Sequence, residues 1–299
     1  MQKKKISFIG LGTMGGGMAM NLATKNDVDF LAINRSEKGL KPFIEKNIPV
    51  SLNNIDAAAG DYTFLCLPDG AVVRSVLLGE QGIARNMKPG HIVIDCSTIS
   101  YLEAKDIAAE LAKCGIEYLD APVSGHHAKA MDGTLTIMCG GKKEIFEQLK
   151  GYFDSMGTTV QYMGETGAGQ LTKMINNCAL NICTASFCEL MPVGVKLGLD
   201  PEAIGKVLMT ASGSSYASKT LIPEILENNF AHGFTMGLAY KDMLSMSEVC
   251  NKFAIPLPTL LGTMQTYQLA IQGGFENEYK GTMIKFYEKL LGVECRKKQ

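Results

Sequence analysis

The sequence predicts an α/β fold of two domains, with a parallel-sheet domain first, an all-α domain second and a long helix joining them. Short apolar runs alternate with helical patterns up to about residue 155, and a glycine-rich turn follows the first run. From residue 167 onward only helical patterns remain. A chain of 299 residues is long enough for two packed cores, so we expect domains at 1–165 and 166–299.

Composition narrows the class of partner. The chain is 46% hydrophobic and 20% charged, with a net charge of −1 and no long charged tail. This balance argues against nucleic acid as the main partner. The first apolar run is too short for a signal-peptide core or a bilayer span, so we expect a cytoplasmic protein that does not bind a membrane.

Cysteine and histidine spacing argues against disulfides and metals. The nine cysteines are scattered through apolar runs without a Cys-x-x-Cys pair, which is typical of reduced core residues. Of the four histidines, His126 and His127 are adjacent, whereas His91 and His232 have no partner at ligand spacing. We therefore expect no metal site.

The first strand, helix and turn form a dinucleotide-binding pattern. Strand Lys5–Ile9 runs into a G-x-G-x-x-G turn, and a helix follows from about Met14 to Thr24. Gly10 permits the tight turn, Gly12 lets the backbone approach a pyrophosphate, and Gly15 lets helix pack on strand. This order indicates a Rossmann-type domain. The cofactor residues predicted here are Gly10, Leu11, Gly12, Thr13, Met14 and Gly15.

The end of the second strand indicates which cofactor binds. Strand Asp29–Ile33 is followed by Asn34, Arg35 and Ser36, where NAD-specific sites place an acidic residue. Because that acid is missing and Arg35 suits a 2′-phosphate, we predict NADP, with NAD as the alternative. The competing interpretation is that Arg35 only stacks on adenine or lies in solvent, which would leave selectivity poor, and nearby Glu37 would oppose a 2′-phosphate.

The next two strands, at 62–67 and 91–96, each end in a turn. In a doubly wound sheet, ligands lie beyond the carboxyl ends of the strands, so Leu67, Pro68, Ser97 and Thr98 are expected beside the nicotinamide. Further strands are predicted at 116–120 and 135–139, with helices near 100–114 and 142–155.

The loop between the last two predicted strands contains Ser124 and Gly125. A glycine-bearing loop with a hydroxyl at a strand end offers donors to an anion such as a carboxylate. It could equally be a plain connection, and the loop alone does not decide.

The helix predicted at 167–198 places a lysine in an apolar setting. Its Lys173 and Asn177 are four residues apart and therefore neighbours on the helix surface. An amine at the margin of an apolar cleft suits acid/base catalysis, and the amide can orient it or a substrate hydroxyl. The alternative is an ordinary surface lysine. The residues expected to be buried are Leu171, Met174, Ile175, Cys178, Ile182 and Ala185.

Four more helices are predicted, at 200–211, 216–228, 236–252 and from about 258 to the end. Asp200 is expected to cap the first of them with Pro201 behind it, and Pro192 to kink or end the joining helix. Lys241 and Asp242 form a charged pair that interrupts an apolar helix, which could mark a second part of the site. The alternative interpretation is an ordinary exposed pair on the helix surface.

Taken together, these motifs resemble the β-hydroxyacid dehydrogenase family, which includes 3-hydroxyisobutyrate dehydrogenase and tartronate semialdehyde reductase. The resemblance covers almost the whole chain, and residues 128–134 and 286–290 look most like the reductase. The motifs that carry it are residues 8–15, 120–125 with 133–135, 167–177 and 241–242.

The resemblance implies a role for several residues. Lys173 is implied as the catalytic residue, Ser124, Gly125 and Asn177 as substrate-binding residues, and Thr98 and Lys241 as neighbours of the nicotinamide. One position departs from the family, which usually has a second glycine after Gly125. Here it is His126, which would narrow the site, add a donor for a second carboxylate or hydroxyl, or turn to solvent.

The predicted function is reversible hydride transfer between a nicotinamide and a short β-hydroxy acid or acid semialdehyde, with lysine as general acid and base. The expected partners are a small carboxylate substrate and further copies of the chain, as a homodimer or homotetramer. The alternatives are a non-catalytic NADP-binding sensor or scaffold and an imine reductase-like activity on the same fold.

Overall fold

The computed structural model describes residues 3–231 and 233–297, so His232 lies outside the described residues. The chain divides between Lys173 and Met174 into two compact units, here called the N-terminal unit and the C-terminal unit. The boundary predicted at 165/166 stays a prediction.

The N-terminal unit is built on one sheet of nine described strands. The order is β3-β2-β1-β4-β5-β6-β8-β7, and β9 pairs with β8. The pairs from β3 to β6 are parallel, whereas β8 runs antiparallel to β6 and β7. The strands are β1 (Lys5–Ile9), β2 (Asp29–Ile33), β3 (Val50–Ser51), β4 (Tyr62–Leu65), β5 (Ile92–Asp95), β6 (Glu117–Asp120), β7 (Val123–Ser124), β8 (Leu135–Gly140) and β9 (Gly157–Gly164).

Six α-helices lie wholly within the described part of this unit. They are α1 (Gly15–Lys25), α2 (Glu37–Ile44), α3 (Gly70–Leu78), α4 (Tyr101–Lys113), α5 (His127–Asp132) and α6 (Lys143–Met156). The six predicted strands, and the helices that correspond to α1, α4 and α6, are confirmed within one or two residues at each end. The sequence patterns missed α2, α3, α5 and strands β3, β7 and β9.

The central strands are buried on both faces. Phe8 and Phe64 belong to one apolar cluster, whereas their chain neighbours Ile9 and Leu65 belong to a second. Successive residues of a strand point to opposite faces, so the two clusters lie on either side of the sheet. This explains why these strands read as uninterrupted apolar runs.

The C-terminal unit is helical. Helix α7 (Ala168–Lys196) spans the division, and the unit continues with α8 (Pro201–Thr210), α9 (Tyr216–Leu226), α10 (Met236–Lys252), α11 (Pro258–Ala270) and α12 (Ile284–Leu291).

Three predictions for these helices need correction in part. Helix α7 continues through Pro192 to Lys196, so the proline does not end it, and a kink there stays a prediction. Helix α8 begins at Pro201 directly after Asp200, as predicted, but the Asp200 side chain makes no capping hydrogen bond. The last predicted helix is interrupted between α11 and α12, where Gly274 adopts φ +94°, a conformation that a helix excludes.

Helix α7 is long and apolar enough, by length and composition alone, to cross a bilayer, and core helices of soluble proteins meet the same criterion. Its buried Asn177 and Asn181 donate hydrogen bonds to Asp242 and to the carbonyl of Ala239 within the C-terminal unit. We therefore interpret α7 as a core helix.

Candidate functional site

The glycine turn between β1 and α1 has the shape that a dinucleotide requires. Gly10 has φ +98°, and a Cβ there would collide with the carbonyl oxygen of Cys66. A Cβ on Gly15 would collide with the Gly10 carbonyl, whereas one on Gly12 would meet open space. Two glycines therefore permit close packing, and the third leaves room above the turn for a pyrophosphate at the start of α1. The residues present fit a dinucleotide.

Asn34 contacts this turn directly. Its Oδ1 accepts a hydrogen bond from the Leu11 amide at 3.1 Å, and its Nδ2 donates to the Ser36 carbonyl at 2.9 Å. The side chain predicted to face the cofactor therefore holds the turn. Arg35 and Ser36 are exposed beyond β2, where an incoming 2′-phosphate could reach them.

A hydrogen bond joins the loops that follow β4 and β5. The Leu67 amide donates to Ser97 Oγ at 2.9 Å, and Ser97 is buried. This bond places the loop after β4, with Leu67 and Pro68, beside the loop after β5, with Thr98. The nicotinamide role of these residues stays a prediction.

The first turn of α7 is held by a carboxylate from β6. Asp120 Oδ1 accepts from the Gly167 amide at 2.7 Å, and its Oδ2 accepts from the Gln170 amide at 2.8 Å. These amides have no partners within the helix, so the aspartate acts as a cap supplied from outside it. Burial raises the pKa of Asp120, and the bonds from Gly167 and Gln170 oppose that rise.

Gln170 ties the same turn to the loop after β5. Its Nε2 donates to the Ser97 carbonyl at 2.7 Å, and its Oε1 accepts from the Ile99 amide at 3.2 Å. With Asp120, this fixes the start of α7 against two strand ends. Sequence reasoning missed both residues, although each lies within a motif that carried the resemblance.

Lys173 follows one turn later. It is 9% exposed, which excludes the surface-lysine interpretation, and Asn177 is 7% exposed on the next turn. Of the predicted stripe, Met174, Cys178 and Ala185 are buried, but Ile175 is 56% exposed, so that prediction is wrong. Ile175 points outward because it lies about 200° around the helix from Lys173.

Asn177 is oriented within the C-terminal unit. Its Nδ2 donates to Asp242 Oδ2 at 2.7 Å, and Asp242 is buried. A carboxylate only accepts, so the amide must present its nitrogen to Asp242 and its Oδ1 elsewhere. Lys241 Nζ lies 3.5 Å from Asp242 Oδ1. Asp242 is therefore part of a buried network, and the exposed-pair interpretation fails for it.

The predicted carboxylate loop is a short hairpin in the N-terminal unit. Ser124 pairs with Thr136 of β8 and is half-buried. Gly125 has φ +148°, and a Cβ there would lie 2.7 Å from Leu135 Cδ2, so this backbone requires glycine. His126 is exposed at the start of α5.

Asp95, at the carboxyl end of β5, is fully buried next to Asp120 of β6 in the strand register. It accepts hydrogen bonds from the Ser97 amide and the Tyr118 hydroxyl, each at 2.9 Å. Burial nevertheless raises the pKa of Asp95 to about 6. This carboxyl supports the loop that carries Thr98, and no sequence signal identified it.

Replacing Asp95 by asparagine tests this burial. Between pH 3.8 and about 6 the folded chain keeps the Asp95 proton while the unfolded chain loses it. The wild-type free energy of unfolding therefore falls as pH rises through this window, by up to about 3 kcal/mol. Because the variant cannot ionise there, its stability relative to wild type should rise by about that amount from pH 4 to pH 7. Denaturant unfolding measures the free energy of unfolding of wild type and variant at each pH. A difference between the two proteins that does not change with pH would contradict the prediction. Asp154→Asn, at an exposed position, is the control.

Within the described ranges, 3–231 and 233–297, no group of three or more His, Cys, Asp or Glu side chains could hold a metal ion. His91 is buried, with Nε2 2.9 Å from Thr63 Oγ1, and burial lowers its pKa. The nine cysteines are free, and all but Cys114 are buried or half-buried.

Comparison with known proteins matches both halves of the chain. Residues 5–164 match the family described as the NAD binding domain of 6-phosphogluconate dehydrogenase. Residues 167–287 match the family described as NAD-binding of NADP-dependent 3-hydroxyisobutyrate dehydrogenase.

Relatives of similar length are named dehydrogenases. The 2-(hydroxymethyl)glutarate dehydrogenase of Eubacterium barkeri is 35% identical, over 97% of this chain and 96% of its own. The mitochondrial 3-hydroxyisobutyrate dehydrogenase of Homo sapiens is 32% identical, over 95% of this chain and 87% of its own. The solved structure of Mycobacterium tuberculosis 3-hydroxyisobutyrate dehydrogenase with L-serine superposes with a TM-score of 0.85 at 26% identity. The match covers 95% of this chain and 99% of that one. These similarities favour a dehydrogenase over the sensor and imine reductase alternatives.

Proposed function

Because this chain belongs to the β-hydroxyacid dehydrogenase family and is a nicotinamide-dependent dehydrogenase acting on hydroxyl groups, we propose that it interconverts a short acid semialdehyde and the matching β-hydroxy acid, with Lys173 as the acid and base. The observation that carries the assignment is the burial of Lys173 one turn after a helix start fixed by Asp120 and Gln170. A lysine that is buried and held at a fixed position is suited to proton transfer, whereas a lysine that serves solubility would be exposed.

Each group in the proposed reaction has one task. The nicotinamide, held at the glycine turn, supplies or accepts the hydride. Ser124 and the backbone at Gly125 hold the substrate carboxylate. In reduction, cationic Lys173 donates a proton to the oxygen that gains negative charge, and in oxidation the neutral amine takes it back. Asn177 donates from its nitrogen to Asp242, and its Oδ1, which accepts from Asn176 Nδ2 at 3.1 Å, has a second lone pair that can accept from the lysine or from a substrate hydroxyl.

We propose that the substrates are tartronate semialdehyde or short β-hydroxy acids like 3-hydroxyisobutyrate. The glycine-constrained loop at Ser124 and Gly125 suits one carboxylate. Exposed His126, on the same loop, adds an imidazole donor for a second carboxylate or a hydroxyl. The relative named for 2-(hydroxymethyl)glutarate makes this dicarboxylate a third candidate, tested in the oxidative direction.

A substrate and cofactor panel tests the function. NADPH and NADH oxidation would be followed with tartronate semialdehyde, methylmalonate semialdehyde and succinic semialdehyde, and reduction of both oxidised cofactors with 2-(hydroxymethyl)glutarate. We expect turnover with at least one acid. Tight NADPH binding without turnover of any of them would contradict the proposed substrate class.

For the cofactor we propose NADP, because Arg35 is exposed after β2 and none of residues 34–36 is acidic. Arg35→Ala is expected to weaken NADPH binding about tenfold or more, since a charge-assisted contact to the 2′-phosphate is lost. NADH affinity should stay unchanged. Titration of nicotinamide fluorescence measures both, with Arg74→Ala as the matched control, and an equal loss for both cofactors would contradict the 2′-phosphate role.

We propose that the protein is a cytoplasmic homodimer or homotetramer. Leu190 and Val193 on α7 are 63% and 45% exposed, and Leu197, directly after the helix with its amide donating to the Val193 carbonyl, is 79% exposed. Their spacing places them on one helix face, and such an apolar stripe is typical of a surface covered by a second chain. Light scattering should give two or four times the chain mass of 32.3 kDa, and a monomer would overturn this proposal.

A further inference from the structure

Helix α5, which follows the proposed carboxylate loop, packs directly on the cofactor helix α1. A Cβ on Gly17 of α1 would lie 2.7 Å from the Ala130 backbone, so only glycine permits this approach. The Asn21 side chain, also on α1 and buried, donates from Nδ2 to the carbonyls of Ala130 and Met131, at 2.9 and 3.0 Å. The carboxyl end of α5 is therefore fastened to α1 independently of its other end.

The other end of α5 contacts the glycine turn itself. His127 Nδ1 lies 2.7 Å from the Thr13 carbonyl oxygen. Because a carbonyl only accepts, Nδ1 carries the proton and donates it in the hydrogen bond. Thr13 lies within the turn that would hold the pyrophosphate, and His127 is two residues after Gly125. One side chain thus joins the cofactor turn to the carboxylate loop.

We infer that His127 is a positioning residue that couples the two binding loops. A pyrophosphate bound at the glycine turn would fix Thr13, and the hydrogen bond to His127 would then fix the loop at Ser124 and Gly125 in its carboxylate-binding shape. Cofactor binding therefore raises substrate affinity, and by thermodynamic reciprocity substrate raises cofactor affinity by the same factor. The inference rests on the proposed carboxylate role of Ser124 and Gly125.

The location of His127 allows its coupling role to be tested separately from a role in packing. Its side chain is exposed, and Asn21 and Gly17 anchor the far end of α5 without it. His127→Ala should therefore fold normally and lose only the link to the turn. Asparagine at 127 has an amide nitrogen at the place of Nδ1, so His127→Asn should keep the link.

Hydrogen exchange with NADPH as the only ligand tests the coupling. In wild type, NADPH should slow hydrogen exchange of the amides at 10–18. It should also slow exchange of the amides at 124–132 by about fivefold, which is the effect expected of one hydrogen bond. In His127→Ala the protection at 10–18 should persist while that at 124–132 is lost. His127→Asn should restore it, and Met131→Ala, an exposed position on α5, should behave as wild type.

Kinetics supplies a second readout. His127→Ala should raise the KM of the best substrate about fivefold with kcat little changed, because one hydrogen bond that shapes the loop is lost. Unchanged NADPH protection at 124–132 in His127→Ala, or no such protection in wild type, would overturn the inference. Failure of the proposed function would look different, since wild type would turn over none of the acids while the exchange pattern stayed intact.

Discussion

Lys173→Met is expected to lower turnover about 1000-fold or more while NADPH affinity stays within about twofold of wild type. The substitution keeps an unbranched chain of similar length in a site that is only 9% exposed, so the fold should tolerate it. What is lost is the proton for the substrate oxygen and the positive charge beside it. Steady-state rates with the best acid of the panel, together with NADPH titration, measure the two effects.

Two variants control this result. Lys196→Met changes an exposed lysine in the last turn of the same helix and should leave turnover unchanged. Lys173→Arg keeps the charge but cannot release its proton at neutral pH, so it should remain inactive in alcohol oxidation. Turnover of Lys173→Met within about tenfold of wild type would remove the lysine from the proposed mechanism.

Asp120→Ala is expected to lower the free energy of unfolding by about 3 kcal/mol and turnover about tenfold to 100-fold. The substitution leaves the Gly167 and Gln170 amides buried without their acceptor. Each such donor costs about 1–3 kcal/mol. Lys173 lies one turn beyond, so loosening the helix start displaces the proposed acid as well.

Denaturant unfolding and steady-state kinetics measure both consequences. The matched control is Asp106→Ala, which removes an exposed carboxylate paired with Arg74 at 2.6 Å. Exposed pairs contribute about 1 kcal/mol at most, so this variant should be nearly neutral. If the two aspartate variants were equally stable, Asp120 would not be the anchor of α7.

The sequence predicts the parts of the site whose signals are local. A strand, a glycine turn and a helix occur in unbroken succession over 5–24, and Lys173 and Asn177 are four residues apart on one helix. The longer strands were predictable because both of their faces are buried. Edge strand β9 (Gly157–Gly164) was missed because alternate residues along it are exposed, which dilutes the apolar run.

The anchors of the site could not be predicted in this way. Asp120 reaches amides 47 and 50 residues further along the chain, and His127 contacts a carbonyl 114 residues before it. Such pairs are set by the strand order of the sheet. No spacing rule within a single segment encodes them. Gly274 shows the converse, since a left-handed residue breaks a helical pattern that reads as continuous.

Single-turnover transfer from a preformed complex with NADPH is the most direct test of proton donation by Lys173. Wild type and Lys173→Met would each be saturated with NADPH, mixed rapidly with the best semialdehyde, and followed by nicotinamide absorbance. We expect a rapid decay in wild type and a decay slower by about 1000-fold in the variant, with the complex itself intact by fluorescence. Equal decay rates in the two proteins would contradict the assignment of Lys173 as the proton donor.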